Sequence, residues 1–308
     1  MVMLAACAKV TAPPATALTV HRAPPVAHPD PLAALDSTDP QLATNKRLAF
    51  DMWRSIVNAG QVEMADRLLD EHYIQHSPVL RTGRKAFKEI FSVVPRRDVP
   101  ELVTPPLVQI VAEGDKVVMS LLESVPERPG IPAHMTTHFN LFRVADQRLA
   151  EHWHSVQTAP GPDVPLPGQG GPQPVTGVLG AAQLELLKSA DPALAANKRL
   201  VFDMWREVID ARRTAAQARY FGAGFTDHSA GTASGHEVFD VDKSQAPATV
   251  QTTLVAPVVA LLAEGDLVVL VTRREHPHPS RAGLVYTTTW FDMFRIAGGR
   301  IVAHWDAG

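Results

Sequence analysis

The sequence predicts an α+β fold that is present twice. Asn45-Lys46-Arg47-Leu48-Ala49-Phe50-Asp51-Met52-Trp53-Arg54 returns as Asn197-Lys198-Arg199-Leu200-Val201-Phe202-Asp203-Met204-Trp205-Arg206, a shift of 152 residues from Asn45 to Asn197. A single position differs, Ala49 against Val201. In both halves helical periodicity comes first and apolar strand-like runs follow, which is the element order of an α+β domain. Proline-rich stretches precede each half, where domain boundaries fall.

The repeat continues at the same shift. Asp39-Pro40 is matched by Asp191-Pro192, Tyr73-Ile74-Gln75-His76-Ser77 by Phe225-Thr226-Asp227-His228-Ser229, Gly83 by Gly235 and Phe87 by Phe239. Ala112-Glu113-Gly114-Asp115 is matched by Ala263-Glu264-Gly265-Asp266, one residue short of that shift, and His152-Trp153 by His304-Trp305. A period this long is a whole domain and not a solenoid unit. The expected organisation is a tether over 1–38, a first domain over 39–157, a linker with a short helix over 158–190, and a second domain over 191–308.

The elements follow in order. Residues 8–38 hold six prolines and no apolar period, so they are expected to form a flexible tether. Asp39-Pro40 reads as an N-cap followed by proline at the first helical position. Ala49, Met52, Trp53, Ile56 and Val57 then share one helical face, and Gly60 ends the helix. A short second helix turns Val62, Ala65, Leu68 and Leu69 inward. The segment from Tyr73 to Pro78 leaves it, and a third helix carries Phe87, Ile90 and Phe91. Strands at 107–112 and 116–125 flank the turn Glu113-Gly114-Asp115; strands at 133–144 and 148–156 flank Ala145-Asp146-Gln147. After a stretch at 158–177 with six prolines, the order restarts. It gives helices at 192–210 and 213–221 and strands near 254–263, 267–275, 284–296 and 300–306.

The net charge of −3 and the absence of a Lys/Arg run point away from nucleic acid. One cysteine, Cys7, excludes an intramolecular disulfide and a Cys-based metal site. Leu4-Ala5-Ala6-Cys7 has the form of a lipobox without its usual upstream flank. It is read as a candidate lipidation site and membrane tether, placing the protein in the cell envelope or periplasm; a chance alanine-rich start leaves it cytoplasmic.

Tyr-Ile-Gln-His after the helices, the Gly-x-x-x-Phe helix, the Ala-Glu-Gly-Asp hairpin and Phe-Arg-Val leading to Glu-His-Trp together resemble the SnoaL-like family of the nuclear-transport-factor-2-like superfamily. The resemblance covers 39–157 and 191–307. It implies two tandem cone-shaped α+β barrels, each with helices packed on a curved, mostly antiparallel sheet around a pocket. It also implies that the two copies pair as a pseudo-dimer within one chain. Polyketide cyclases, isomerases and binding modules share this architecture, so function rests on the pocket.

Alternation places His138, Asn140 and Phe142 on one strand face, and His152 and His154 on another. A three-residue loop at 145–147 brings Asn140 opposite His152 or His154; a two-residue loop reverses the parity and breaks the cluster. His76 joins from the helix side. The second copy places Trp290, Asp292, His304, Asp306 and His228 at the same positions. In the cyclases that the sequence resembles, the aspartate of a final His-x-Asp is the general base for aldol-type ring closure without metal or cofactor. Asp306 occupies that place, and His154 replaces it in the first copy. The catalytic candidates are therefore Asp306, Asp292, His304, His154, Asn140 and His152, with His76, His138, His228 and Trp290 as pocket residues. No cofactor and no metal are expected. The predicted function is general-base chemistry on a small apolar carbonyl compound; the alternative is a ligand-binding or paired scaffold protein.

Overall fold

A computed structural model describes residues 19–127, 129, 132–229 and 246–307. Cys7, Gly235, Phe239 and Gly308 lie outside them. The helix α1 (Pro40–Met52) begins as the sequence indicates, with Pro40 in its first turn and the Asp39 carboxylate accepting from Gln41 N at 2.8 Å. It runs into a π-helical turn, Trp53–Asn58, and the chain reverses at Gly60, where φ is +64°. A side chain at Gly60 would meet the Val94 carbonyl oxygen at 2.4 Å, so the turn requires glycine on two counts. The short helix α2 (Ala65–Leu68) and α3 (Arg84–Phe91) follow. The second half repeats this with α4 (Pro192–Met204), capped by Asp191, and α5 (Gln217–Tyr220).

The first sheet consists of β2 (Leu69–Gln75), β3 (Leu107–Glu113), β4 (Lys116–Val125), β5 (His134–Ala145) and β6 (Arg148–His154), in the order β2-β6-β5-β4-β3. The second consists of β1 (His21–Arg22), β7 (Phe221–Asp227), β8 (Val258–Glu264), β9 (Leu267–Pro277), β10 (Val285–Ala297) and β11 (Arg300–Asp306), in the order β1-β7-β11-β10-β9-β8. Both sheets are open rather than closed into barrels. The meander strands pair antiparallel as their turn signals indicate. The parallel strands β2 and β7 were not expected, since the sequence reads there as chain leaving a helix. In β2, the run Asp70-Glu71-His72 interrupts the alternation, and the register slips between Leu69 and Ile74, so no period-two signal survives.

Each sheet wraps its concave face on its own helix. Ala49, Phe50, Met52 and Ile56 of the first helix pack with Tyr73, Met119, Leu121 and Phe142. Val201, Phe202, Met204 and Val208 pack with Phe225, Leu270 and Phe294. The outer faces of the two sheets meet in a third apolar cluster built on Val118, Phe139, Leu141, Trp153, Val269, Phe291, Met293 and Trp305. Phe139 and Phe291 stack there with centroids 5.4 Å apart and planes 7° from parallel. Burying an aromatic ring of this kind contributes about 1.5–3 kcal/mol. Beside it, Lys46 reaches Glu264 at 2.9 Å and Lys198 reaches Glu113 at 2.5 Å. The second oxygens of Glu264 and Glu113 accept from Ala112 N and Ala263 N across the junction. Both ammonium groups are buried, and carbonyls of the preceding segments supply their remaining acceptors: Asp36 O for Lys46, and Leu186 O and Lys188 O for Lys198.

The segments before the two domains are not tethers where the structure describes them. Residues 21–22 form β1, which adds in parallel to β7 of the second sheet, and Ala23 N donates to Asp227 O. The chain then crosses to the first half, where His28 N bonds Leu107 O and Leu35 enters the first core. The interdomain segment does the converse. Gln173 N donates to Gln75 O on the first sheet, Val178 bridges to Val258 on the second, and Leu187 enters the second core. Proline-rich composition predicted a flexible tether over 8–38; among the described residues of that stretch, residues 21–23 pair with the second sheet and His28 bonds the first.

Candidate functional site

The hairpin β5–β6 decides whether the polar cluster forms. Its loop has two residues, Asp146 and Gln147, with φ of 48° and 58°, so the three-residue loop considered above is absent. A regular two-residue hairpin puts Asn140 and His152 on opposite faces. A bulge restores them. Arg143 pairs with Glu151 while Val144 pairs with Leu149, so Ala150 is an extra residue. Asn140 then lies opposite His154, and Phe142 opposite His152. The second copy does the same with Gly298 and Gly299 in the loop and Val302 as the extra residue, which places Asp292 opposite Asp306.

In the second copy His304 is fully buried between two carboxylates. Its Nδ1 lies 3.0 Å from Asp227 Oδ1 and its Nε2 3.1 Å from Asp292 Oδ1. Carboxylates only accept, so both ring nitrogens donate and the ring is an imidazolium. Burial opposes that charge, but the bonds to Asp227 and Asp292 and the nearby Asp306 outweigh it and push the His304 pKa up to about 10. For Asp227, burial works against ionisation, yet bonds from His304 and from Ser229 N and Oγ hold its carboxyl below the usual range. Asp306 is 2% exposed. Burial dominates there, offset in part by His304, and raises its pKa to about 7. Asp306 Oδ1 and Asp292 Oδ2 are buried without a hydrogen-bond partner among the described residues. Arg274, on the neighbouring strand β9, lies with its guanidinium carbon 3.6 Å from the centre of the Trp290 ring.

In the first copy the same cage is built from neutral groups. His152 Nδ1 lies 3.0 Å from Gln75 Oε1 and Nε2 3.0 Å from Asn140 Oδ1. Burial, with His138 and His76 nearby, drives the His152 pKa down to about 3. A neutral ring has one donor, so one of the two amides must present its NH2; Asn140 Nδ2, buried with no partner in the assigned orientation, is the group to turn. His154 stands where Asp306 stands, with its pKa also well lowered by burial. His138 adjoins it at 5.6 Å between ring centres and meets Glu123 at 3.4 Å.

The structure thus gathers Asn140, His152, His154 and His138 in one copy, and Asp292, His304, Asp306 and Trp290 in the other. It separates His76 and His228 from them. His76 stacks on Trp153 at 4.4 Å and reaches Glu151 and the carbonyls of Gln173 and Pro174. His228 stacks on Trp305 and reaches Ala23 O and Pro24 O. Successive strand residues face opposite sides, so the neighbours Gln75 and Asp227 enter the cages and the histidines face the sheet junction. The Gln75/Asp227 difference between the repeats was the signal that identifies these two. Arg274 was also missed, since basic residues on strand ends carry no spacing signature. A cavity of about 150 Å³ at the junction is lined by His76, Pro165, Tyr286 and Arg281, away from both cages.

Asp292, His304 and Asp306 each bring one ligand-type atom within 4.8 Å of the others. A metal there needs a lone pair on His304, but both of its nitrogens are hydrogen-bonded to carboxylates. The donor set therefore suits protons better than a cation.

Residues 47–160 match the family model of SnoaL-like polyketide cyclases. No protein of curated function matches the chain. Similar solved structures include a candidate polyketide cyclase from Acidithiobacillus ferrooxidans, 20% identical, covering 39% of this chain and 89% of that one, with a TM-score of 0.27. A candidate SnoaL-like polyketide cyclase from Jannaschia sp. CCS1 is 15% identical over 39% and 89%, with a TM-score of 0.29. A candidate polyketide cyclase from Streptomyces antibioticus is 18% identical over 36% and 87%, with a TM-score of 0.25. The first half is an α+β unit with a buried polar cluster on strands β5 and β6. That stretch is similar to the SnoaL-like polyketide cyclase family, and the described elements of the second half follow the same order.

Proposed function

We propose that the second repeat is a cofactor-independent general-base site for a small carbonyl compound, and that the first repeat is its non-catalytic partner. Asp306 carries this reading. A carboxylate with a pKa near 7, buried and with a free oxygen, is matched to taking a proton from carbon at neutral pH. His304 keeps a positive charge beside it and so holds the carboxylate within reach of ionisation. The first repeat has no carboxylate at either matching position, since Asn140 and His154 stand there, and His152 and His154 are neutral. The face-to-face packing of the sheets supports a paired arrangement within one chain.

The test is exchange of α-protons for deuterium in 2-butanone and ethyl acetoacetate, followed by proton NMR in D2O. Wild-type protein is expected to accelerate exchange, and Asp306→Asn to lose the acceleration by about 10²-fold or more. Exchange no faster than in buffer sinks the enzymatic reading and leaves the two repeats as a ligand-binding or scaffold protein.

A further inference from the structure

Deprotonation beside a carbonyl moves charge onto oxygen, and a donor must meet it there. His304 cannot serve, because both of its nitrogens are held by Asp227 and Asp292. Arg274 remains. It pairs with Thr288 in the β9–β10 ladder, as Thr272 pairs with Trp290 and Leu270 with Asp292. Paired residues share a face, so Arg274, Trp290, Asp292 and, across β11, Asp306 lie on one side of the sheet. The guanidinium carbon lies 3.6 Å from the centre of the Trp290 ring, and the side chain, half-buried, makes no hydrogen bond or ion pair among the described residues. Its charge is felt at Asp306 and Asp292, while burial lowers its own pKa. An arginine fixed over an indole with its donors unused is preorganised for an oxygen ligand. The first repeat reverses the sign: Glu123 pairs with Thr136 as Arg274 pairs with Thr288, and it is bonded to His138.

We infer that Arg274 is the oxyanion-binding residue of the second repeat, its guanidinium receiving the enolate oxygen of the carbonyl compound that Asp306 deprotonates. This rests on the general-base reading of Asp306. In the step, the Asp306 carboxylate takes a proton from the carbon next to the carbonyl. The C–H electron pair forms the C=C bond, and one carbonyl π pair moves to oxygen, where Arg274 donates to it. The negative charge passes from Asp306 to the enolate, and nothing is oxidised or reduced. Trp290 holds the guanidinium in plane and closes the site to water on that side.

Acetylacetone is the probe, because its enolate absorbs at longer wavelength than its enol or keto forms. It is titrated into the full-length protein at pH 7. Wild-type protein is expected to show the enolate band. Arg274→Met is expected to lose it and to slow α-proton exchange about 10²-fold, with Arg274→Lys intermediate. Asp306→Asn also loses the band, having no carboxylate to accept the proton. His304 imidazole resonances unchanged in Arg274→Met show that the cage is intact. A wild-type band that survives in Arg274→Met but not in Asp306→Asn overturns the role of Arg274 and leaves the base. Exchange that persists in Asp306→Asn overturns the base itself. No enolate band with wild-type protein, despite catalysed exchange, also overturns the role of Arg274.

Discussion

His152 and His304 occupy matching cages and carry opposite charge states. Around His304 stand Asp227, Asp292 and Asp306; around His152 stand Gln75, Asn140 and His154. The two rings have nearly the same hydrogen-bond lengths, all 3.0–3.1 Å, and both are buried. Yet one pKa is about 3 and the other about 10. Geometry is therefore not what sets the chemistry of this fold. Carboxylates at Asp227, Asp292 and Asp306, in place of Gln75, Asn140 and His154, decide whether the cage stores a proton or refuses one.

The comparison is broken most directly by exchanging the cages. Gln75→Asp with Asn140→Asp is expected to raise the His152 pKa from about 3 to above neutrality, and Asp227→Gln with Asp292→Asn to lower that of His304 from about 10 to below it. Histidine-selective NMR titration reads both. A His304 that still titrates above neutrality in the amide cage removes the two carboxylates as its cause.

Next in size are the single changes. Asp292→Asn leaves a buried imidazolium with one carboxylate and is expected to cost about 3–5 kcal/mol. Asn140→Ala removes one neutral bond and is expected to cost about 1 kcal/mol. Urea unfolding followed by hydrogen exchange in each half measures the difference, and equal costs would contradict the charge assignment.

The two halves also respond to pH in opposite directions. The His152 pKa is depressed, so its contribution is present above about 6.5 and is lost as pH falls toward 3. The His304 pKa is raised, so its contribution is full below about 6.5 and is lost as pH rises through 10. Asp306 adds a loss in the acid-to-neutral range, since a raised carboxyl pKa contributes below about 3.8 and loses that contribution as pH climbs through 7. Amide exchange should show the first half opening first in acid and the second in alkali. A further effect follows from the same sign: Asp306→Asn is expected to stabilise the second half by roughly 2–4 kcal/mol at pH 8 and by almost nothing at pH 4. Stabilisation equal at both values would exclude a raised carboxyl pKa.

The two halves also show what a sequence discloses. Helix starts at Asp39-Pro40 and Asp191-Pro192, the turns at Gly114 and Gly265, and the antiparallel strands were legible because local chemistry specifies them. Parallel β2 and β7 were not, because no turn joins them to β6 and β11 and their alternation is interrupted. The cluster around Asn140 and His152 was legible as face-sharing residues, but the loop that builds it was not. The extra residues Ala150 and Val302 look like ordinary strand positions, and only the paired strand reveals the bulge. Asp227 escaped because the histidine beside it drew the chemical argument, although the change from Gln75 stood in the alignment of the repeats.

The exchanged segments have a consequence for synthesis. β1 finds its partner only when β7, some two hundred residues further along, has left the ribosome. At typical elongation rates that is a wait of about 10–40 s. The first half completes its other edges alone, while its opening strand stays unclaimed until the second half arrives. Assembly of the molecule is thus closed by one of its earlier-made segments, like a belt threaded first and buckled last.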